Sequence, residues 1–135
     1  MDQQSRLEKK QSQLKALKDS LKVEKRRFFE NVYFSLDTNE EALVYFDALD
    51  FPVTSARIKD ALYDTNLLGE EESLVPYAQM DGKFLINKIK VLNHKWVIAD
   101  FSDGTFWGEL LIKYQVAADG VLTFTVVEHF LYATN

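Results

Sequence analysis

Two carboxylates interrupt apolar faces of predicted β-strands. Because successive side chains of a strand point to opposite faces, Asp100 shares a face with Trp96 and Ile98. Glu128 likewise continues a face that is otherwise apolar and aromatic, made of Leu122, Phe124, Val126, Phe130 and Tyr132. A carboxylate among aromatic rings loses solvation, which raises the pKa of such a group towards the range used for general acid or base catalysis. The sequence therefore predicts a ligand pocket formed by Trp96, Asp100, Glu128, Phe130 and Tyr132.

No catalytic residue is assigned by this pattern, and Asp100 and Glu128 are candidates only. A bulge or a strand end would turn either carboxylate to water, and a Lys or Tyr side chain would satisfy it inside the protein. His129 follows Glu128 and falls on the opposite face of the strand, so the two cannot form a catalytic pair. His94 lies in a predicted turn, where we expect it to be solvated.

The sequence contains no motif that is typical of metal or cofactor binding. Its two histidines are far apart, it has no cysteine, and its five glycines are scattered rather than grouped before a helix. Thiolate zinc sites and phosphate-binding loops are excluded by these counts, so we predict no metal and no cofactor. The absence of cysteine also excludes a disulfide scaffold and a cysteine nucleophile.

The elements that carry the carboxylates form the second half of the chain. Beyond Lys83 the hydrophobic pattern alternates with period two, which predicts four strands over residues 84–92, 95–102, 105–116 and 121–132. Asp103-Gly104 and Asp119-Gly120 are strong hairpin-turn signals. The predicted core of these strands comprises Trp96, Ile98, Phe106, Leu110, Ile112, Tyr114, Phe124, Val126 and Phe130. Leu74–Tyr77 is predicted to add a short edge strand.

Helices precede the strands. Residues 5–34 lack Gly and Pro and predict one long, mostly exposed helix. Thr38 and Glu41 have the spacing of a capping box for a second helix, and Thr54 or Ser55 can cap a third. The predicted fold class is therefore α+β, with N-terminal helices, one of them long and basic, packed on a curved antiparallel meander of four or more strands.

Charge divides the chain in the same place. Residues 1–27 contain nine Lys or Arg and four acids, a net charge of +5, whereas residues 28–135 contain seven and seventeen, a net charge of −10; together they give the total of −5. We predict a basic helical arm, 1–27, attached to a single domain, 28–135. Leu7, Leu14, Leu21 and Phe28 recur every seven residues and give the arm one apolar edge for association. Self-association or a protein partner is favoured over nucleic acid, because the acidic domain would repel phosphates.

The sequence is compatible with two cellular locations. No run of about 20 apolar residues is present, so no transmembrane segment is predicted. If Met1 is the native start, the protein is cytoplasmic. If Met1 replaces a removed signal sequence, the protein is exported or lipid-tethered.

Helices followed by a long meander resemble the cystatin-like or NTF2-like α+β architecture over residues 28–132. Lys90–Gly104 and Trp107–Glu109 also resemble small uncharacterised bacterial proteins. The first resemblance implies a curved sheet with a pocket on its concave side. NTF2-like enzymes place a His–Asp or Tyr–Asp pair there, whereas only carboxylates can be placed in this chain.

Three functional hypotheses follow. The first is a non-enzymatic α+β module that binds a partner or a small ligand and self-associates, as a dimer. The second is a small NTF2-like hydrolase or isomerase that uses the pocket carboxylates. The third is polyanion binding through the basic arm.

Overall fold

The computed structural model describes residues 2–133 and divides into two compact units, Met1–Tyr33 and Phe34–Asn135. The boundary lies six residues beyond the predicted one, after Tyr33 instead of Arg27. The first unit is helix α1, Asp2–Val32, of 31 residues and about 46 Å in length. None of its described residues is buried. Its helical conformation therefore follows from the intrinsic preference of Lys, Leu, Glu and Gln for helix.

The second unit begins with short helices. In chain order they are the 3-10 turn Leu36–Thr38, helix α2 (Glu40–Leu43), the 3-10 turn Val44–Phe46, helix α3 (Ser55–Asp64), and the 3-10 turns Thr65–Leu67 and Glu70–Glu72. Asn39 caps α2, because its side chain accepts a hydrogen bond from the backbone N–H of Ala42 at 3.0 Å. The predicted capping box of Thr38 and Glu41 was wrong, because the N-cap of α2 is Asn39, one residue closer to the helix than Thr38. Thr54 caps α3 as predicted, accepting from the Arg57 N–H at 3.2 Å.

Four strands follow in an antiparallel meander, β1 (Leu85–Val91), β2 (Trp96–Ser102), β3 (Trp107–Val116) and β4 (Leu122–Leu131), in the spatial order of the sequence. Gly104 and Gly120 occupy the turns with φ of 98° and 92°, a left-handed conformation that glycine adopts without strain. The α+β prediction is confirmed. Leu74–Tyr77 is not a strand, which corrects the predicted fifth one.

The turn between β2 and β3 is fixed by one carboxylate. Asp103 accepts hydrogen bonds from the backbone N–H of Phe106 at 2.7 Å and of Thr105 at 2.9 Å, and a third from Asp81. These hydrogen bonds hold the pKa of Asp103 below its usual value, and the bond from the Phe106 N–H has the largest effect. The aspartate of the predicted Asp-Gly signal thus closes the turn that sets the β2–β3 register.

The core lies on one face of the sheet, where α3 contacts β1 and β4. The strands contribute Ile86, Ile89, Val91, Val97, Ala99, Phe101, Leu110, Ile112 and Tyr114, and the preceding segments contribute Leu36, Ala42, Val53, Ile58, Leu62, Val75 and Phe84. The predicted core positions Leu110, Ile112 and Tyr114 are confirmed, and Phe106, Phe124 and Val126 are partly buried against the core. The edge strand β1 is protected by Asn66, whose side chain bonds both the N–H and the C=O of Ile86.

Three predicted core residues were placed wrongly. Trp96, Ile98 and Phe130 are exposed. Strand β2 instead buries its other set, Val97, Ala99 and Phe101, because both of its faces are apolar and alternation alone does not select one.

In β4 the reason is a β-bulge. Ile112 pairs with Val126 but Leu111 pairs with Glu128, so Val127 is an extra residue in the ladder. Beyond it the faces exchange, and Phe130 leaves the core side.

Candidate functional site

The sheet face opposite the core is hereafter called the outer face. Strand pairing arranges its side chains in cross-strand rows, and four of these rows contain the residues of interest. The rows are Lys90–Ile98–Leu111–Glu128, Lys88–Asp100–Glu109–Phe130, Leu85–Ser102–Trp107–Tyr132 and Trp96–Lys113–Thr125. Trp96, Ile98, Trp107, Phe130 and Tyr132 are all exposed there. Trp107, Phe130 and Tyr132 contact one another, whereas Trp96 lies at the other end of β2. Exposed aromatic side chains grouped in this way are typical of a binding site.

An aromatic cluster forms one end of this face. The rings of Trp107 and Tyr132 stack with centroids 3.8 Å apart, and Phe130 contacts Tyr132 edge to face at 4.9 Å. The Tyr132 hydroxyl donates to the Glu109 carboxylate at 2.6 Å. This hydrogen bond raises the pKa of Tyr132, because the bonded phenol is favoured over the phenolate. The hydrogen bond and the ring contacts restrict the orientation of the Tyr132 side chain.

All five residues of the predicted pocket lie on the outer face, namely Trp96, Asp100, Glu128, Phe130 and Tyr132. The structure thus brings them together on one surface, although not on the core side that the sequence indicated. Asp100 pairs with Glu109 and Glu128 pairs with Leu111, so strand β3 lies between the two carboxylates. Two strand spacings and an offset of two residues along the strands separate their backbones by about 12 Å. They are not neighbours across a single pair of strands.

Asp100 lines a groove of about 220 Å³ with Lys88, Lys90 and Glu109. Its Oδ1 atom is buried and has no hydrogen-bond partner among residues 2–133. Glu109 lies directly opposite it in the ladder, a like-charge arrangement that destabilises a strand pair unless a cation compensates. Lys88 pairs with Asp100 from the other side and supplies positive charge in the same row.

Glu128 lies outside that groove. Its Oε1 atom accepts a hydrogen bond from the backbone N–H of His129 at 3.0 Å. The His129 ring lies on the other face, as the alternation predicted, and its Nδ1 is 3.0 Å from the Tyr77 hydroxyl. The imidazole and the carboxylate are therefore directed to different neighbours.

A second groove was missed by the sequence analysis. The ring of Tyr45 stacks on that of His94 with centroids 3.9 Å apart and planes 3° apart. His94, predicted to be solvated in a turn, is half-buried, and its Nδ1 has no hydrogen-bond partner among the described residues. Burial, with the charge of Lys95, lowers the pKa of His94. Residues 49 positions apart meet here through tertiary packing, which no local pattern signals.

The predicted association residues Leu7, Leu14, Leu21 and Phe28 are exposed on α1. Within residues 2–133, no three His, Asp or Glu side chains come together in a group that could hold a metal ion. Over the same residues, no helix combines the length and apolar character needed to cross a bilayer.

No protein-family model, no curated protein and no solved structure matches this chain.

Proposed function

We propose that this chain is a non-enzymatic binding module that self-associates as a dimer, and that a second copy of the chain docks on the outer face. The observation that carries the proposal is the set of exposed aromatic and aliphatic side chains on that face, Trp96, Ile98, Trp107, Phe130 and Tyr132. In a two-layer α+β unit, the helices cover one face of the sheet, and the opposite face is normally polar. The exposed aromatic and aliphatic side chains that lie among the charged residues of this face lose free energy in water that a covering partner would recover.

Charge supports a second copy as the occupant. Residues 34–135 contain seven Lys or Arg and sixteen acids, a net charge of −9, so two copies repel each other over most of their surface. The outer face differs, because Lys88, Lys90 and Lys113 balance Asp100, Glu109 and Glu128. This balance lets two identical faces approach without repulsion.

The aromatic composition supports docking as well. Tyr and Trp are enriched at protein interfaces, because each provides a large contact area with few rotatable bonds. The Trp107–Tyr132 stack is fixed by the bond from Tyr132 to Glu109, so docking would cost little side-chain entropy there.

Helix α1 offers a second contribution to the same assembly. Its exposed Leu7, Leu14, Leu21 and Phe28 form an edge with heptad spacing, which is the spacing that pairs α-helices. Lys10 and Glu24 occupy the positions that a complete coiled-coil seam would fill with apolar residues. We therefore assign α1 a supporting contact and the outer face the main one.

Sedimentation velocity of matched variants tests this assignment. Ile98 lies in the middle of the outer face and is 37% exposed, whereas Leu67 is 85% exposed and lies in a 3-10 turn outside the sheet. Ile98→Lys and Leu67→Lys replace an exposed aliphatic side chain with the same cation. We expect a dimer for the unchanged chain and for Leu67→Lys, and a monomer for Ile98→Lys at about 10 µM, because a lysine at an interface centre must be desolvated.

A third variant, Leu14→Lys, separates the two surfaces. If Leu14→Lys dissociates the dimer and Ile98→Lys does not, the main contact is α1 and the outer-face assignment is wrong. A monomer for the unchanged chain at 300 µM, about 30 times the working concentration, refutes self-association altogether.

A further inference from the structure

The groove around Tyr45 and His94 has features that point to a small ligand, beyond self-association. It is an open groove of about 540 Å³, a volume within the usual range for small-molecule sites. Its lining consists of Asn39, Glu41, Ala42, Val44, Tyr45, Asn93 and His94. Tyr45 is 68% exposed even though His94 is stacked on it, so aromatic surface of the Tyr45 ring is open to a further ring.

The polar groups of the lining are of two kinds. The amide oxygens of Asn39 and Asn93 are occupied, the first by the Ala42 N–H at 3.0 Å and the second by two backbone N–H groups at 2.8 Å. Each asparagine therefore offers a ligand its amide nitrogen, which carries two donors. Glu41 offers the opposite, a carboxylate that only accepts. Donors and an acceptor thus surround an aromatic surface.

His94 also lines this groove. Its Nδ1 is buried without a partner among residues 2–133, and buried polar groups in folded proteins are nearly always paired. Because the pKa of His94 is lowered, the ring is neutral at pH 7 and Glu41 is the one charged side chain in the lining of this groove. Rotation of the imidazole by about 180° about its Cβ–Cγ bond would exchange Nδ1 and Cδ2 while the stack is kept.

We propose that this groove binds a small planar heteroaromatic molecule that carries hydrogen-bond donors and acceptors on its edge. Tyr45 would stack on the ring, Glu41 would accept from an exocyclic amine, and Asn39 and Asn93 would donate to ring or carbonyl acceptors. An uncharged molecule is favoured over a phosphorylated one, because the unit has a net charge of −9.

Cytidine is the probe, because its base combines an amine, a ring nitrogen and a carbonyl on one edge. Titration followed by ¹H–¹⁵N chemical shifts should move the amides of Ala42 and Asn93 with a Kd on the order of 1 mM. N4,N4-dimethylcytidine retains the ring and the acceptors but has no amine donor, and we expect it to bind at least about fivefold more weakly.

Two pairs of variants test the roles of the side chains. Tyr45→Ala should weaken cytidine binding about tenfold and Tyr45→Phe less than about twofold, because stacking needs a ring and not the hydroxyl. Glu41→Gln should weaken it about fivefold, whereas Glu40→Gln, the same change at an adjacent exposed residue that does not line the groove, should leave it unchanged.

Three results would overturn the proposal. The first is no shift of the groove amides at about 20 mM cytidine, well above the expected Kd. The second is unchanged binding by Tyr45→Ala with its fold intact by circular dichroism. The third is equal binding of dimethylcytidine, which would mean that the edge is not recognised. Tighter binding of cytidine 5′-monophosphate than of cytidine would contradict the preference for an uncharged ligand.

Discussion

Trp107 gives the most direct quantitative test of the outer face. Its side chain is 45% exposed, which leaves about 110 Å² in contact with water if a tryptophan side chain presents about 250 Å² in all. Covering that area in a dimer would contribute about 2.8 kcal/mol per copy at about 25 cal/mol per Å². An alanine would retain a fraction of this contact. We therefore expect Trp107→Ala to weaken the dimer by about 2 kcal/mol per copy.

A symmetric dimer contains the change twice, so the loss is about 4 kcal/mol, or about 10³-fold in the dimer dissociation constant. Sedimentation equilibrium over a range of concentrations measures this constant directly. Leu67→Ala is the control, because Leu67 is more exposed than Trp107 but lies outside the outer face. A change of less than about tenfold for a folded Trp107→Ala protein would refute the argument, since it would leave the exposed tryptophan outside the interface.

Three further predictions concern the fold that carries these sites. Gly108→Ala should destabilise the protein by about 3 kcal/mol in urea unfolding, because the new Cβ would lie 2.1 Å from the Phe130 carbonyl oxygen and 2.7 Å from the Phe101 ring; an unchanged midpoint would contradict this close approach. Burial raises the pKa of Tyr114, whose hydroxyl donates to the Asn93 carbonyl at 2.6 Å, above the unfolded value of about 10. The raised pKa therefore contributes its full stabilisation below pH 10, and this is lost as the pH rises towards the folded pKa, by up to about 1.4 kcal/mol per pH unit. Urea unfolding at several alkaline pH values should show that the stability of Tyr114→Phe falls less steeply with pH. Parallel plots of stability against pH for the two proteins would be evidence against this prediction. Thr54→Ala should cost about 1 kcal/mol through loss of the α3 cap and Thr54→Ser much less, as measured by thermal unfolding; equal losses for the two would show that the hydroxyl does not act as the cap.

The order of elements was predictable because its signals are local. Asp103-Gly104 and Asp119-Gly120 both form turns with left-handed glycines, and the period-two pattern of β3 selected the correct buried face. Thr54 is recognisable as a cap from its position before an apolar periodic segment. Each of these features depends on a few adjacent residues.

The faces of β2 and of the second half of β4 were not predictable in the same way. In β2, Trp96 and Ile98 compete with Val97 and Phe101, and only packing within the whole core decides which set is buried. In β4, the extra residue Val127 is defined by pairing with β3, so a single strand's sequence does not reveal it. The five residues of the predicted pocket therefore share one face, but it is the outer face and not the core side, and their role as a site stays a prediction.

The Tyr45–His94 groove depends on longer-range information still. Tyr45 follows α2 and His94 lies between β1 and β2, and their stacking needs both segments to be packed. The sequence shows that both rings are present, but it does not show that they stack on each other.

The bulge at Val127 has a consequence for how this surface could arise. If β4 paired regularly and kept all its residues, Val127 would face Leu111, and Glu128 and Phe130 would point to the core while His129 and Leu131 pointed away from it. Deletion of Val127 would instead remove the bulge and leave these faces unchanged, because Glu128 would still pair with Leu111. The extra residue therefore lets the strand carry one more side chain while the residues after it keep the faces that a shorter, regular strand would give them.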